Sequence, residues 1–147
     1  MRTVDIFTDG ACDPHGNRQG GWACILIYPS HKNIVAEKVL QGFEKDSTNN
    51  RMELTAVIEG LKALKEPCEV NIYSDSQYVC KAFNDNWISN WVLRNWAEVK
   101  NVDLWKTLLE LTKKHAVKFT WVRGHSGNLW NERCDKLAVF ESKREVK

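Results

Sequence analysis

The first third of the chain alternates apolar and polar side chains with the two-residue period of β-strands. Residues 4–9 alternate in this way, residues 22–28 form an apolar run typical of a buried strand, and residues 34–43 give a third strand. The pair Asp9-Gly10 predicts a turn that closes the first strand, and the polar, Gly-rich stretch 13–21 predicts a loop. Because the connections are short, we expect these three strands to pair as an antiparallel meander.

The period changes to that of a helix after residue 48. Apolar residues recur at 3.6-residue spacing from Leu54 to Leu64, with N-cap candidates at 48–50 and Pro67 beyond the end. The later elements are expected to be a strand at 69–74, a helix capped by 75–76, a short helix or arm at 87–96, a helix capped by Asn101, a strand at 117–122 and a helix at 131–142. Strands joined through helices run parallel, so the predicted fold class is α/β: a five-stranded mixed sheet, three antiparallel strands then parallel strands, with helices on both faces.

Length and composition predict a single globular domain, and the overall charge is weak. The chain has 147 residues, 43% hydrophobic and 27% charged, which predicts one domain spanning residues 1–147. The net charge of +2 is too small for the global field of a strongly basic nucleic-acid binder, so any polyanion must be held by local contacts. The longest apolar run, 22–28, is far below the roughly 18 residues of a membrane span, and no signal-peptide pattern follows Met1. We therefore expect no membrane association.

The cysteines indicate the redox compartment. There are five, an odd number, and none are in C-x-x-C spacing. This usage predicts buried free thiols rather than a zinc site or a disulfide framework, and a reducing, cytoplasmic location.

Four acidic residues stand at element ends or on helix faces that could point into one region. Asp9 ends the first predicted strand, Asp75 ends the fourth, Glu53 lies at the edge of the first helix's buried face, and Asp135 shares a face of the last helix with Asn131. Four carboxylates from four elements are the oxygen ligands that Mg²⁺ prefers, and two such ions form a clamp for phosphodiester hydrolysis. The alternative is that the four are helix caps and surface acids.

Five short motifs follow one another across nearly the whole chain. They are Ile6-Phe7-Thr8-Asp9-Gly10, Thr48-Asn49-Asn50-Arg51-Met52-Glu53-Leu54, Tyr73-Ser74-Asp75-Ser76-Gln77-Tyr78-Val79, Lys100-Asn101-Val102-Asp103-Leu104-Trp105 and Val122-Arg123-Gly124-His125, which Asn131-Glu132-Arg133-Cys134-Asp135 follows. In this order and spacing they resemble the motifs of ribonuclease H, type 1, of the bacterial ribonuclease HI kind. The resemblance implies a ribonuclease H-like fold and an endonuclease that hydrolyses the RNA strand of RNA/DNA hybrids. It also implies two Mg²⁺ ions, for which Mn²⁺ can substitute, and products with 5′-phosphate and 3′-hydroxyl ends.

Carried over residue by residue, the resemblance implies a role for each motif. Asp9, Glu53, Asp75 and Asp135 match the catalytic, metal-binding acids, and His125 matches a histidine that assists proton transfer or product release. The implied substrate contacts are amides that read the minor groove (Asn49, Asn50, Gln77), a phosphate-contacting pair for the DNA strand (Thr48, Asn101), the loop residues Cys12 and Asn17, and the arm residues Trp87 and Arg94.

Two stretches depart from the family pattern. The loop 12–21 is longer and lacks a regular Gly/Pro series, and the arm is short, with Arg94 and Lys100 as its cations. The spacing of Trp87 and Trp91 favours helix packing over base stacking. Two other functions stay open: a nuclease of the same superfamily that acts on DNA, and a hybrid-binding module without catalysis. We expect a monomer.

Overall fold

The fold is described from a computed structural model, which describes residues 1–15, 18–28, 36–124 and 127–145. The strands are β1 (Arg2–Cys12), β2 (Gly20–Tyr28), β3 (Ala36–Glu44), β4 (Cys68–Ser74) and β5 (Ala116–Trp121). The helices are α1 (Asn49–Lys62), α2 (Gln77–Asn84), α3 (Trp87–Leu93), α4 (Val102–Thr112) and α5 (Leu129–Ser142). Within the described ranges, no helix is long and apolar enough to cross a membrane.

The five strands form one mixed sheet in the order β3-β2-β1-β4-β5. β1 pairs antiparallel with β2, and β2 with β3, whereas β4 is parallel to both β1 and β5. The predicted architecture is therefore confirmed: the successive strands β1, β2 and β3 pair antiparallel, and β4 and β5, which each follow a helix, pair parallel.

The alternation along β1 directs its side chains to two separate cores. Val4 and Ile6 point into the larger core, where α1, α2 and α4 pack. Phe7 points to the other face, where Cys134 of α5 packs with β2. On that face α5 lies very close to the sheet, because a Cβ at Gly21 would come within 2.1 Å of the Ala138 carbonyl oxygen. Both faces are thus covered by helices, as predicted.

The predicted turn at Asp9-Gly10 is wrong. β1 continues through this pair to Cys12, with Gly10 opposite Trp22 of β2. Gly10 serves a close approach instead of a turn, since a Cβ there would lie 2.5 Å from the backbone nitrogen of Glu53. The glycine therefore lets α1 rest against β1 at the point where Asp9 is presented.

Two helix starts also differ from the sequence expectation. α5 begins two residues earlier than predicted, because the Asn128 side chain accepts hydrogen bonds from the backbone N–H groups of Trp130 and Asn131. Asn101 does precede α4, but with a left-handed backbone (φ 60°) and without a side-chain cap. Thr48, in contrast, caps α1 through the Arg51 N–H at 3.1 Å.

Candidate active site

Asp9 is the centre of the candidate site. It lies in β1, the central strand of the sheet, and only 6% of its surface is exposed. The Gly10 backbone N–H donates to its Oδ1 at 2.8 Å. Burial, together with the charges of Asp75 and Asp135, raises the pKa of Asp9 to about 7. A carboxylate held in this way is stabilised by a nearby cation.

Glu53 approaches Asp9 from α1. The sequence placed Glu53 at the edge of the buried face, but the structure buries it between Met52 and Leu54, with 8% of its surface exposed. Burial and the neighbouring Asp9 raise the pKa of Glu53 well above its usual value, because two carboxylates lie side by side in the interior. Its second oxygen, Oε2, is buried without a hydrogen-bond partner among the described residues.

Asp75 and Asp135 complete the acidic set from two further elements. Asp75 is exposed just beyond β4, and carboxylate oxygens of Asp9, Glu53 and Asp75 lie within 4.8 Å of one another. Asp135, on α5, is outside that tight group but lines the same cleft as Asp9 and Asp75. The structure therefore brings together all four acids that the sequence singled out.

The donor set fits a hard divalent cation. Three acids from different elements converge, one buried carboxyl oxygen has no partner among the described residues, and burial makes the ionised state of two of the acids costly. A divalent cation among oxygen ligands relieves each of these conditions. The geometry thus defines a candidate metal site in a solvent-connected cleft beside Asp9 within β1 and the C-terminal end of β4.

Sequence reasoning missed three contributors to this cleft. Thr8 and Asn131 line it with buried side-chain polar atoms that have no partner within the described part of the chain. The third is Trp121, whose indole N–H donates to the Asp75 carbonyl oxygen at 2.9 Å and so holds the backbone that carries Asp75. Only Asn131, four residues before Asp135 on one helix face, had a signal in the sequence.

The predicted substrate amides lie close in sequence to two of the acids. Asn49 and Asn50 are exposed in the first turn of α1, which also carries Glu53, and Gln77 is exposed at the start of α2, two residues after Asp75. Cys12 ends β1, and its thiol lies within hydrogen-bond distance of the Arg18 and Ser47 carbonyl oxygens, at 3.3 and 3.4 Å. The predictions for Asn17 and His125 fall outside the described residues.

The arm, residues 87–100, packs its tryptophans on the larger core. Ring centroids are 6.3 Å apart for Trp87 and Trp91, 6.2 Å for Trp91 and Trp96, and 5.1 Å for Trp91 and the buried Trp105. The expectation that Trp87 and Trp91 pack together is therefore confirmed. Arg94 is exposed and lines a second cleft with Asn50 and Asn101, whereas Trp87 does not line it.

The fold and the acid cluster together define an α/β domain with a candidate metal-dependent hydrolase site. A crystal structure of LC9-RNase H1, described as a type 1 RNase H with the type 2 active-site motif, has the same fold. It matches with a TM-score of 0.87 and 28% identity, over 96% of this chain and 72% of that chain.

Sequence comparisons identify the family. The RNase H family model matches residues 1–143. The ribonuclease H of Caldicellulosiruptor saccharolyticus is 54% identical over 143 residues, covering 94% of both chains. Ribonuclease HI of Helicobacter pylori is 49% identical over 148 residues, covering 100% of this chain and 98% of the relative. The chain belongs to the ribonuclease H family as a bacterial-like type 1 member, which confirms the resemblance, and it is a hydrolase with ribonuclease activity.

Proposed function

We propose that this chain is an endonuclease that hydrolyses the RNA strand of RNA/DNA hybrids, using two divalent metal ions and leaving 5′-phosphate and 3′-hydroxyl ends. The observation that carries the proposal is the convergence of Asp9, Glu53 and Asp75, with Asp135 in the same cleft. Membership of the ribonuclease H family supports the hybrid substrate. The proposed catalytic unit is the whole chain, residues 1–147.

The four acids would hold Mg²⁺, with Mn²⁺ as a substitute, and Asp9 lies at the centre of the set. When bound, the ions lower the pKa of the attacking water and stabilise the leaving oxygen. The chain supplies the placement: β1 and α1 fix Asp9 and Glu53 in the interior, while Asp75 and Asp135 face the open side of the cleft. We assign His125 to proton transfer or product release.

Strand choice is assigned to amides beside the metal ligands. Asn49, Asn50 and Gln77 are exposed within four residues of Glu53 or Asp75, and amides offer both donors and acceptors to base edges and 2′-hydroxyls. Because these side chains adjoin the reacting centre, the strand with 2′-hydroxyls would be the one that is cut.

The remaining substrate contacts follow the hybrid away from the cut. Thr48 and Asn101 would contact a phosphate of the DNA strand, and Cys12, the last residue of β1, would contact the RNA together with Asn17. Trp87 and Arg94 would contact the hybrid from the arm. We also propose a monomer that acts in the cytoplasm. The free thiols of the five cysteines, four of them buried, support a reducing compartment.

The proposal is tested with four end-labelled substrates: RNA/DNA hybrid, duplex RNA, single-stranded RNA and duplex DNA, each with and without Mg²⁺. Only the hybrid with Mg²⁺ should be cleaved, and the cut should lie in its RNA strand. The end groups are identified with one enzyme that acts only on a 5′-phosphate and another that acts only on a 3′-hydroxyl, and both should act on the fragments. Cleavage of duplex DNA would favour the alternative of a DNA nuclease. Binding of the hybrid without cleavage would favour a hybrid-binding module.

A further inference from the structure

A second cleft, of about 270 Å³, opens between the start of α1, the arm and the start of α4. Its polar lining includes Asn50, Tyr78, Arg94, Lys100 and Asn101, with Glu98 as its one acid among the described residues. Most of these groups are hydrogen-bond donors or cations. The cleft is therefore suited to an acceptor with negative charge, and the hydroxyl of the half-buried Tyr78 is one of its donors.

Two neighbours occupy the acceptor positions of the Tyr78 hydroxyl. The indole N–H of Trp105 donates to it at 2.9 Å, and the amide Nδ2 of Asn101 donates to it at 3.2 Å. A phenol oxygen accepts two hydrogen bonds and donates one. Its own proton is left to donate, and the described residues supply no acceptor for it.

The Asn101 amide is fixed from its other side. Its Oδ1 accepts from Arg51 Nη1 at 3.3 Å, and the Arg51 guanidinium is itself held by both carboxylate oxygens of Asp103, at 3.1 and 2.9 Å. Because Oδ1 faces Arg51, Nδ2 must face Tyr78. One N–H of Nδ2 is used by Tyr78, and the second remains for a ligand.

We propose that Tyr78 is a further substrate-contacting residue, whose hydroxyl orients the Asn101 amide and donates its own proton to a phosphodiester oxygen of the hybrid in this cleft. The inference rests on the proposed function, which supplies the hybrid. A phosphodiester fits better than a base edge, because its oxygens only accept hydrogen bonds and carry the charge that Arg94 and Lys100 attract. Cleavage of the hybrid by the parent protein tests the function separately.

The first test is Tyr78→Phe, which keeps the ring against Trp105 and removes one oxygen. We expect KM for the hybrid to rise about 10-fold or more, with kcat within about twofold, since a hydrogen bond to a charged acceptor is lost in both ground and transition states. The salt dependence of KM should stay that of the parent, because the phenol carries no charge. Tyr28→Phe, at the opposite end of the sheet, is the matched control and should change neither constant. An unchanged KM for a folded Tyr78→Phe would overturn the proposal.

The second test asks whether Tyr78 works with Asn101. In a double-mutant cycle with Asn101→Ala, the effects on KM should be strongly non-additive, because the two groups hold one acceptor. Fully additive effects would overturn the orienting role. If both single variants keep the parent KM while the parent cleaves hybrid, the cleft is not a substrate site, and the endonuclease function still stands.

The third test needs only the parent protein in its first arm. In one series of hybrids, a single neutral methylphosphonate linkage replaces each phosphodiester of the DNA strand in turn. In a second series, the linkage is placed in the RNA strand next to a 2′-O-methyl nucleotide, and the control hybrid carries the 2′-O-methyl nucleotide with a normal phosphodiester. One linkage should raise KM for the parent and raise it by a smaller factor for Tyr78→Phe, which retains the cations of the cleft but lacks the hydroxyl, and its strand identifies which phosphate occupies the cleft. If no single linkage raises the parent KM, the proposal fails, whatever the stability of the variant.

Discussion

The carboxylate of Asp9 lies where its negative charge destabilises the folded protein unless a cation is nearby. It is buried in the central strand beside Glu53, and its pKa is raised to about 7, mainly by burial. Below that pH the proton relieves the repulsion among the acids, and above it the ionised carboxylate depends on a counter-charge. The fold therefore gives up stability at this position unless a cation neutralises the charge.

We predict that Asp9→Asn abolishes cleavage and raises the thermal midpoint of the metal-free protein. The substitution keeps the shape of the side chain and removes a buried charge, so each kcal/mol gained should appear as about 2 to 4 °C at this chain length. Mg²⁺ should raise the midpoint of the parent and have little effect on the variant. Thermal unfolding with and without Mg²⁺, beside a hybrid cleavage assay, measures both effects.

Asp46→Asn is the matched control for charge, because Asp46 is exposed and has a left-handed backbone (φ 51°) that asparagine tolerates. It should cleave like the parent and respond to Mg²⁺ like the parent. Activity of Asp9→Asn comparable to that of the parent would contradict the two-metal assignment.

At single residues, the sequence was informative where a side chain type is unusual for its position. Carboxylates at Asp9 and Asp75 stand out beside apolar strand residues, so the sequence alone singles them out. The pairing of Tyr78 with Asn101 could not, since the two residues are 23 positions apart and each looks like an ordinary helix-start residue. Contacts of this kind depend on how α2 and α4 pack, which no local pattern specifies.

At the level of elements, the long periodic segments were predictable and the glycine at position 10 was misread. Asp9-Gly10 has the composition of a turn, but the missing Cβ is used for contact with α1. Turn chemistry and close backbone approach require the same residue, so the distinction depends on the tertiary neighbour. The same holds for Asn101, whose side chain does not cap α4 but forms hydrogen bonds with Tyr78 and Arg51.

Gly10→Ala should force β1 and α1 apart at their point of contact. The new Cβ would lie 2.5 Å from backbone atoms of Met52 and Glu53, so the helix or the strand must shift and carry Glu53 away from Asp9. We expect a loss of about 1 to 3 kcal/mol in unfolding free energy, the usual range for overpacking, and a fall in kcat measured where the variant is still folded. The Mg²⁺ concentration for half-maximal activity should rise.

Gly42→Ala on β3 is the matched control. Its new Cβ would meet the ring of Trp22 at 2.8 Å, a side chain that can move, in a strand that contributes none of the four acids. It should lose stability in denaturant unfolding yet keep the parent kcat and Mg²⁺ requirement. A Gly10→Ala protein with the parent kcat would show that Glu53 tolerates displacement.

The arm binds through charge if Arg94 contacts a phosphate. Arg94→Ala should raise KM with little change in kcat, because arm contacts are equally present in ground and transition states. It should also reduce the slope of log affinity against log salt by about 0.9, the value for one neutralised phosphate. Hybrid binding measured over a series of salt concentrations gives the slope.

Lys38→Ala, an exposed cation on the edge strand β3, should leave both KM and the salt slope unchanged. The converse change, Leu93→Lys, adds a cation at a side chain that is 84% exposed in the arm and should lower KM. If Arg94→Ala keeps the parent KM and slope, the arm does not touch the hybrid, and its tryptophans serve packing alone.

On the scale of the whole molecule, the groups proposed to read the substrate are spread over two helices rather than concentrated at one point. The amides lie on two helices, Asn49 and Asn50 at the start of α1 and Gln77 at the start of α2, with Glu53 and Asp75 beside them. A net charge of +2 supplies little general attraction, so binding depends on several local contacts made together. The enzyme should therefore read a stretch of RNA rather than one sugar.

The last prediction follows from this spacing of contacts. A 2′-hydroxyl is the group that distinguishes RNA from DNA at a given site, and amides from two helices would contact hydroxyls of more than one nucleotide. Replacing about four ribonucleotides around the cut with deoxyribonucleotides should stop cleavage, and a duplex DNA with a single ribonucleotide should be a poor substrate, although its phosphates are all present. The measurement is kcat/KM on a series of duplexes with one to six consecutive ribonucleotides, with the all-DNA duplex as the blank. A steep rise over the first few ribonucleotides is expected. Efficient incision at a single ribonucleotide would mean that the enzyme recognises the RNA–DNA junction, and that Asn49, Asn50 and Gln77 do not act as a set.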